Sequence, residues 1–306
     1  MRFRLEYGAL LAAAAWIRVL PAPVSRRLLR GAGLAFFLLS GRYRRVALEN
    51  LRHIFPLPEE NRRRRALARA SFAHLGTLLF DLLRLSRVSA ADVERETEVT
   101  GWGHLENAYR RGRGVLLFSA HFGNWERVAL LQGFRGYRLN LITRPLDNPY
   151  LEAYLGRIRT RSGNRVLPKR GAIRRCLRPI RAGEGIALVI DQWAPVPEAV
   201  FVDFLGRPAA TTRTLARLAL RFHCAVVPVF SVPLPEGRWR IVYEPEVPLP
   251  DAGTQEQRIR SLTQECTAVI ERYVRRHPEY WFWMHRRWRA EPPLALPLPG
   301  GAVADA

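Results

Sequence analysis

The sequence predicts an α/β fold in which helices cover both faces of a mainly parallel central sheet, preceded by a helical N-terminal membrane anchor. From about residue 95, short apolar runs alternate with segments of helical periodicity. These runs are apolar at successive positions, which is typical of strands buried on both faces of a parallel sheet. The chain has 306 residues, enough to bury the core of such a domain.

Residues 1–40 are predicted to be the membrane-associated segment. Residues 8–17 (GALLAAAAWI) and 31–40 (GAGLAFFLLS) are apolar, and arginines lie between them. Each run is about half as long as the roughly 20 residues that a spanning helix needs. An interfacial anchor, with apolar side chains among acyl chains and arginines on headgroups, is therefore favoured over a spanning helix or a cleaved signal peptide. A buried helical hairpin is the alternative.

A single domain is predicted over residues 41–290, and the tail over 291–306, rich in Pro, Ala and Gly, is predicted to be disordered. Residues 42–86 are rich in helix formers. The periodicity then predicts, in chain order, a strand over 115–119, a helix over 125–134, a strand over 139–143, helices over 149–162 and 171–181, a strand over 185–190, a helix over 212–222, strands over 225–231 and 239–244, and a helix over 255–276.

The composition indicates anionic partners. Lys and Arg total 49 against 27 acidic residues, a formal net charge of +22, and Lys169 is the single lysine. The guanidinium fork matches phosphate and carboxylate groups, so lipid headgroups, an acidic carrier protein or nucleic acid would suit it, although genome base composition is a further cause of the bias. The three cysteines are far apart in sequence and argue against a disulfide framework or a cysteine zinc site. No metal and no cofactor are predicted.

The segment SAHFGNWE, from Ser119 to Glu126, is the sharpest chemical signal. It follows the end of a predicted buried strand, and ligands bind at the carboxyl ends of strands in open α/β sheets. Gly123 permits a sharp turn, and Asn124 is a good N-cap for the helix that follows. The turn would allow His121 and Glu126 to converge.

A histidine beside a carboxylate is suited to remove a proton from a hydroxyl. The carboxylate fixes the imidazole tautomer and stabilises the imidazolium that forms. We therefore predict His121 as a general base with Glu126 behind it. No G-x-S-x-G motif lies nearby, which favours direct attack by the hydroxyl with no covalent enzyme intermediate.

Further motifs follow in order along the chain. They are Asn50-Leu51-Arg52 before Phe55-Pro56, Arg144-Pro145 with Asn148-Pro149, Arg157-x-Arg159-x-Arg161-x-Gly163, Asp191-Gln192, Phe201-Val202-x-Phe204-x-Gly206, Ala210-Thr211-Thr212 and Trp283-x-His285-Arg286-Arg287. With these and the segment His121 to Glu126, the chain resembles the bacterial lipid A secondary acyltransferases, the lauroyl/myristoyl acyltransferases, from about residue 10 to 290. That family lies within the wider group of lysophospholipid and glycerolphosphate acyltransferases.

The resemblance implies a glycerolphosphate-acyltransferase-like fold, a thioester donor carried by acyl carrier protein or coenzyme A, and transfer to a hydroxyl of an anionic membrane glycolipid, with a lipid A precursor favoured. It also implies the cytoplasmic face of the inner membrane and no nucleic-acid partner. Two alternatives remain open. One is an acyltransferase for another lipid acceptor, such as a lysophospholipid, an ornithine lipid or a phosphatidylinositol mannoside. The other is a non-enzymatic basic protein that binds membranes or RNA.

Six residues are predicted to bind substrate. Arg159, on the helix over 149–162, is placed to hold an acceptor phosphate or the thioester oxyanion, and the resemblance favours it over its neighbouring arginines. Asp191 ends a strand and is suited to orient an arginine or the acceptor, and Arg144 follows a strand directly. Thr211 and Thr212 are predicted to open a helix, where capping alone would explain them. The full set is Asn124, Arg144, Arg159, Asp191, Thr211 and Thr212.

Residues 281–289 (WFWMHRRWR) interleave aromatic residues with arginines. This pattern is typical of a membrane interface and of single-stranded nucleic-acid binding. Interface or core packing is the favoured interpretation. Trp193, Phe201 and Phe204 are predicted to pack in the core, with the lining of an acyl pocket as the alternative.

Overall fold

The computed structural model describes residues 1–289, so the predicted disorder of 291–306 lies outside the described residues. The predicted α/β class and mainly parallel sheet are confirmed. The helices are α1 (Arg2–Val19), α2 (Ala22–Leu39), α3 (Gly41–Ile54), α4 (Asn61–Leu85), α5 (Ala90–Arg95), α6 (Trp102–Arg110), α7 (Trp125–Phe134), α8 (Pro149–Thr160), α9 (Ala172–Arg181), α10 (Thr214–Phe222) and α11 (Gln255–Arg276). The strands are β1 (Thr97–Thr100), β2 (Val115–Ser119), β3 (Leu139–Thr143), β4 (Arg165–Pro168), β5 (Gly185–Val189), β6 (Ala199–Phe204), β7 (Arg207–Thr212), β8 (Ala225–Pro233) and β9 (Trp239–Tyr243).

Seven strands form one sheet in the order β1-β9-β8-β2-β5-β3-β4, and β6 pairs with β7 in a separate hairpin. Every pair in the large sheet is parallel except β8 with β9. All residues of the central strand β2 are buried. Leu116 and Phe118 pack in one apolar cluster, and Val115 and Leu117 pack in a second cluster on the opposite face. This two-sided burial explains why the strand is apolar at successive positions.

The predicted helix over 212–222 begins too early. Thr211 and Thr212 end strand β7, and α10 begins at Thr214. Pairing with β6 holds both threonines in extended backbone, which local sequence did not indicate. The short strands β1, β4 and β6 were not predicted, because each lacks a buried apolar run long enough to stand out.

The first 40 residues are helical, as predicted, and form α1 and α2. Helix α1 has no buried residue, whereas α2 packs closely on α4. At their crossing, a Cβ on Gly33 would lie 2.2 Å from the carbonyl oxygen of Phe72, and one on Gly76 would lie 2.0 Å from that of Leu29. A larger side chain at either glycine would therefore push the two helices apart.

Within residues 1–289, one helical segment, Pro58–Leu85, is long and apolar enough to cross a membrane. Half of its apolar window is buried inside the protein, in keeping with a core helix that packs on α2 and α3.

The segment 281–289 packs in the core, which is one of the two roles favoured for it. Trp281, Trp283 and Arg287 are each at most 1 % exposed. Asn50 of α3 donates hydrogen bonds to the carbonyl oxygens of Trp283 and His285, at 2.8 and 2.7 Å. Phe122 and Trp281 also form an isolated β-bridge. This bridge holds the segment against the sheet edge where β2 and β5 end.

Candidate active site

The turn after β2 has the geometry that its sequence predicts. Gly123 has φ +56°, and a Cβ there would lie 1.8 Å from the carbonyl oxygen of Ser231, so a side chain does not fit. Asn124 caps α7, since its Oδ1 accepts a hydrogen bond from the backbone N–H of Arg127 at 3.0 Å. The turn places His121 at the carboxyl edge of the sheet.

Asp191 reaches the same edge from the neighbouring strand. Strands β2 and β5 are parallel, and their register aligns Ser119 with Val189. His121 and Asp191 each follow those aligned residues at the same offset, so they lie side by side beyond the ends of the two strands. The carboxyl ends of parallel strands meet at one edge of a sheet, so this juxtaposition follows from topology.

The Asp191 carboxylate holds both the ring and the backbone of His121. Its Oδ1 lies 2.8 Å from Nδ1 of the imidazole, and its Oδ2 accepts from the His121 backbone N–H at 2.9 Å and from the Trp281 indole N–H at 2.8 Å. Burial raises the pKa of Asp191, but the charge of His121 and these hydrogen bonds outweigh it and hold the pKa below its usual value. Asp191 is therefore a buried, ionised partner of the imidazole.

This arrangement corrects the sequence prediction that Glu126 lies against His121. Both carboxylate oxygens of Glu126 accept from Nε of Arg159, at 3.1 and 3.0 Å, and one also accepts from Nη2 at 2.5 Å. The Trp125 indole N–H donates to the same carboxylate at 3.2 Å. Glu126 lies in the first turn of α7 beside α8, and a guanidinium fork binds a carboxylate better than a neutral imidazole does. Arg159 therefore engages Glu126. Asp191 takes the position beside His121 that the sequence prediction had assigned to Glu126.

The second ring nitrogen of His121 faces away from Asp191. Among the described residues, its hydrogen-bonding neighbour is Nε2 of Gln192, at 3.4 Å. An ionised carboxylate can only accept, so Nδ1 carries the hydrogen that is donated to Asp191, and Nε2 of the neutral ring keeps its lone pair. The His121 side chain is 21 % exposed. A lone pair on Nε2 in a partly open position is what a general base requires.

Helix α4 forms one wall of the narrow cleft beside His121, which the sequence did not indicate. The cleft contains a cavity of about 10 Å³, roughly enough for one water molecule. Its lining is mostly apolar and aromatic, and it consists of Ser71, His74, Leu75, Leu78, His121, Trp125, Tyr280, Trp281 and Phe282. Trp281 thus lines the cleft and also donates a hydrogen bond to Asp191. The sequence did not indicate this hydrogen bond, because 90 positions separate the two residues.

The comparisons with known proteins identify the family of this chain. The family model described as bacterial lipid A biosynthesis acyltransferase matches residues 4–290. The chain belongs to this family. It is 28 % identical to the lipid A biosynthesis lauroyltransferase of Escherichia coli (strain K12), over 90 % of this chain and 89 % of the relative. It is 25 % identical to the lipid A biosynthesis palmitoleoyltransferase of the same strain, over 81 % of this chain and 79 % of the relative.

A more distant match is the phosphatidylinositol mannoside acyltransferase of Mycolicibacterium smegmatis (strain ATCC 700084 / mc(2)155). It is 24 % identical, over 74 % of this chain and 73 % of the relative. All three relatives named here are acyltransferases, and the family membership makes this chain an acyltransferase enzyme. The choice between an enzyme and a non-enzymatic basic binding protein is thereby made in favour of the enzyme.

The other residues predicted to bind substrate in this acyltransferase differ in burial and in hydrogen-bond partners. Asn124 is buried as the cap of α7. The Arg144 side chain is 78 % exposed and pairs with Asp147 at 3.1 Å. Thr211 is buried in β7, where its hydroxyl accepts a hydrogen bond from Arg287, and Thr212 donates to the hydroxyl of Thr214 at 3.0 Å. The structure brings Asp191 to His121 and Arg159 to Glu126, whereas these other side chains engage different partners.

The cysteines of the acyltransferase are poor nucleophiles. Cys176, Cys224 and Cys266 are free and buried. Burial raises the pKa of Cys176 to about 11 and that of Cys224 to about 12, so both remain thiols at neutral pH. Within the described range, 1–289, no group of three or more His, Cys, Asp or Glu residues is arranged to hold a metal ion.

Proposed function

We propose that this acyltransferase moves a fatty acyl group from a thioester to a hydroxyl of a lipid A precursor, with His121 as general base and Asp191 as its orienting carboxylate. The observation that carries the proposal is the 2.8 Å contact between the buried Asp191 and Nδ1 of His121, a residue that lines the cleft. This contact leaves the lone pair of Nε2 available. The names of the lauroyltransferase and palmitoleoyltransferase relatives support the acceptor class.

The proposed reaction is a direct transfer. Nε2 of His121 takes the proton of the acceptor hydroxyl as its oxygen attacks the thioester carbonyl carbon. The Asp191 carboxylate stabilises the imidazolium that forms. The tetrahedral intermediate then collapses, the carbon–sulfur bond breaks, and the imidazolium returns its proton to the departing thiolate. The products are an ester and a free thiol, and no acyl-enzyme forms.

In this proposal, Arg159 binds the charge that develops on the substrate, and Glu126 orients the guanidinium. Burial lowers the pKa of Arg159, but the charge of Glu126 and its hydrogen bonds outweigh burial and raise the pKa above its usual value. A fixed cation near the cleft is suited to an acceptor phosphate or a thioester oxyanion.

The first two helices are proposed to hold the enzyme on the cytoplasmic face of the inner membrane. Several large apolar side chains there are exposed: Trp16 by 64 %, Leu28 by 59 % and Leu39 by 85 %. Arg18 and Arg27 lie near them in sequence and suit anionic headgroups. The net charge of +22 also suits an acidic carrier protein or coenzyme A as the thioester carrier.

The test is an assay of the purified full chain with acyl carrier protein and coenzyme A thioesters against a panel of lipid acceptors, read by mass spectrometry of the acylated lipid. His121→Ala is expected to lower turnover by roughly 10²–10⁴-fold, the usual worth of a general base. His104→Ala, at an exposed position on α6, is the matched control. A His121→Ala variant that turns over as fast as the control would refute the mechanism.

A second candidate acceptor is a phosphatidylinositol mannoside or another glycerolipid, favoured by the mycobacterial relative alone. Lipid mass spectrometry of a deletion strain separates the two. An acyl chain lost from lipid A supports the first candidate, whereas an acyl chain lost from a glycerolipid with lipid A unchanged supports the second.

A further inference from the structure

A second imidazole lines the cleft beside His121. His74 projects from α4 and is 9 % exposed. Its ring lies 5.0 Å from that of Tyr280 and 6.2 Å from that of Trp239, measured between centroids. Within the described residues, Nε2 of His74 is buried and has no hydrogen-bond partner. Buried side-chain nitrogens are usually paired, so the missing partner requires a physical explanation.

The surroundings of His74 keep its ring neutral. Burial lowers its pKa to about 4; the nearby Gly123 backbone opposes this shift, and the charge of Arg30 adds to it. A neutral imidazole offers one donor and one acceptor and carries no charge to bind a phosphate or carboxylate. Its natural partner is a neutral oxygen, either a hydroxyl or a carbonyl.

The position of His74 matches the place where such an oxygen would react. Both imidazoles line a cavity of about 10 Å³, the size of one oxygen-centred group. Ser71, the other polar α4 residue of the lining, already donates its hydroxyl to the carbonyl oxygen of Trp281 at 2.8 Å. The remaining α4 residues of the lining, Leu75 and Leu78, are apolar.

We propose that Nε2 of His74 forms a hydrogen bond with the substrate oxygen that enters the cleft, either the acceptor hydroxyl or the acyl carbonyl, and positions it against His121. The inference rests on the proposed acyl transfer and adds a binding residue to that site. It also accounts for the unpaired nitrogen, because the partner arrives with the substrate.

The test compares three substitutions at His74 in the purified full chain. The amide of glutamine reaches the position of Nε2, whereas that of asparagine reaches the position of Nδ1, and leucine fills the space without a polar atom. His74→Gln is expected to keep most of the turnover. His74→Leu and His74→Asn are expected to lower kcat by roughly 10- to 100-fold, the worth of one buried hydrogen bond in the reacting complex. His104→Leu, which removes an exposed imidazole from α6, is the control and should match the wild type.

Thermal unfolding of every variant separates binding from packing. His74→Leu removes an unpaired buried nitrogen, so Tm should hold or rise while kcat falls. The inference is overturned if His74→Leu turns over like the wild type. It is also overturned if His74→Asn keeps the wild-type turnover and His74→Gln loses it. If His74→Leu has a lower Tm than the wild type, the comparison of kcat between His74→Gln and His74→Asn still tests the inference. A wild-type enzyme that transfers no acyl group would refute the proposed function, whereas an active wild type, an inactive His121→Ala and an active His74→Leu would refute this inference alone.

Discussion

Two buried aspartates lie in different regions of the molecule and differ in what surrounds them. Asp191, at the sheet edge, accepts hydrogen bonds from the His121 backbone and the Trp281 indole and contacts the imidazole. Asp81, in α4 near α2, is fully buried, but neither of its oxygens has a hydrogen-bond partner among the described residues. Arg26 of α2 lies 3.6 Å away, beyond hydrogen-bonding distance.

The two pKa values show the consequence. Burial raises the pKa of Asp81 to about 6, although the charges of Arg127, Arg26 and Arg84 oppose it; Glu96 raises it further. Burial acts in the same direction on Asp191, but direct hydrogen bonds and the charge of His121 bring its pKa below the usual value. Nearby positive charge therefore does not replace directed hydrogen bonds when a carboxylate must stay ionised in the interior. Asp191 has such bonds at the sheet edge, whereas Asp81, in α4 near α2, has none among the residues that the structure describes.

Among the variants that test this contrast, Asp191→Asn should have the largest effect, a loss of turnover. The asparagine can keep its oxygen on the two N–H donors, which turns its NH₂ toward Nδ1 of His121 and forces the proton onto Nε2. The imidazole would then be unable to accept the hydroxyl proton, and turnover should fall by roughly 10³–10⁴-fold, as expected for a wrong tautomer. The measurement is kcat, with circular dichroism to show an intact fold. Normal turnover would mean that Asp191 does not orient the base.

Glu126→Gln and Arg159→Gln test the carboxylate that the sequence had assigned to His121. Because the two side chains form one ion pair, each single variant should lose roughly 10²-fold in kcat/KM, the usual cost of removing one transition-state stabiliser. The double variant should be no worse than the poorer single variant, since both changes break the same unit. Additive losses would show that Glu126 acts apart from Arg159, in support of the original assignment.

Asp81→Asn should have the smallest effect, visible in stability rather than in turnover. An acid whose folded pKa exceeds its unfolded value favours the folded state at low pH, and this contribution is lost as pH rises through about 6. Between about pH 4.5 and 7.5 the wild type should lose up to ~2 kcal/mol of unfolding free energy relative to Asp81→Asn.

Urea unfolding at the two pH values measures this difference. Asp251→Asn, at an exposed position, is the control. If wild type and Asp81→Asn show the same pH dependence, the Asp81 carboxylate is ionised throughout that range, and the contrast with Asp191 fails.

The central elements could be read from the chain because their signals are local. The bounds predicted for β2, α7, β3 and α11 are those of the structure. Each is a continuous apolar run or a helical period with end signals inside or next to it. The edge strand β4 and the hairpin strand β7 lack such runs, since their residues are partly exposed or contain Pro and Thr, and only pairing with a neighbouring strand fixes their conformation.

The residues around His121 divide in the same way. The positions of His121 and Asp191 just past the ends of two apolar runs were visible in the sequence, and the rule that parallel strands end at one edge would have brought them together. The strand order that makes β2 and β5 neighbours was not visible. The sequence also did not show that α4 forms a wall of the cleft. His74 and Leu78 lie in an ordinary amphipathic pattern, and only the packing of α4 across the sheet edge places them beside His121.

By itself, the sequence determined the family, the α/β class and the strand–turn–helix that presents His121, because an apolar strand, a glycine at positive φ and an asparagine cap act within ten residues of one another. The tertiary structure alone decided which carboxylate meets the imidazole. That choice depends on the register of two strands some 70 positions apart and on Arg159 engaging Glu126 from another helix. Both are long-range contacts that no local pattern encodes.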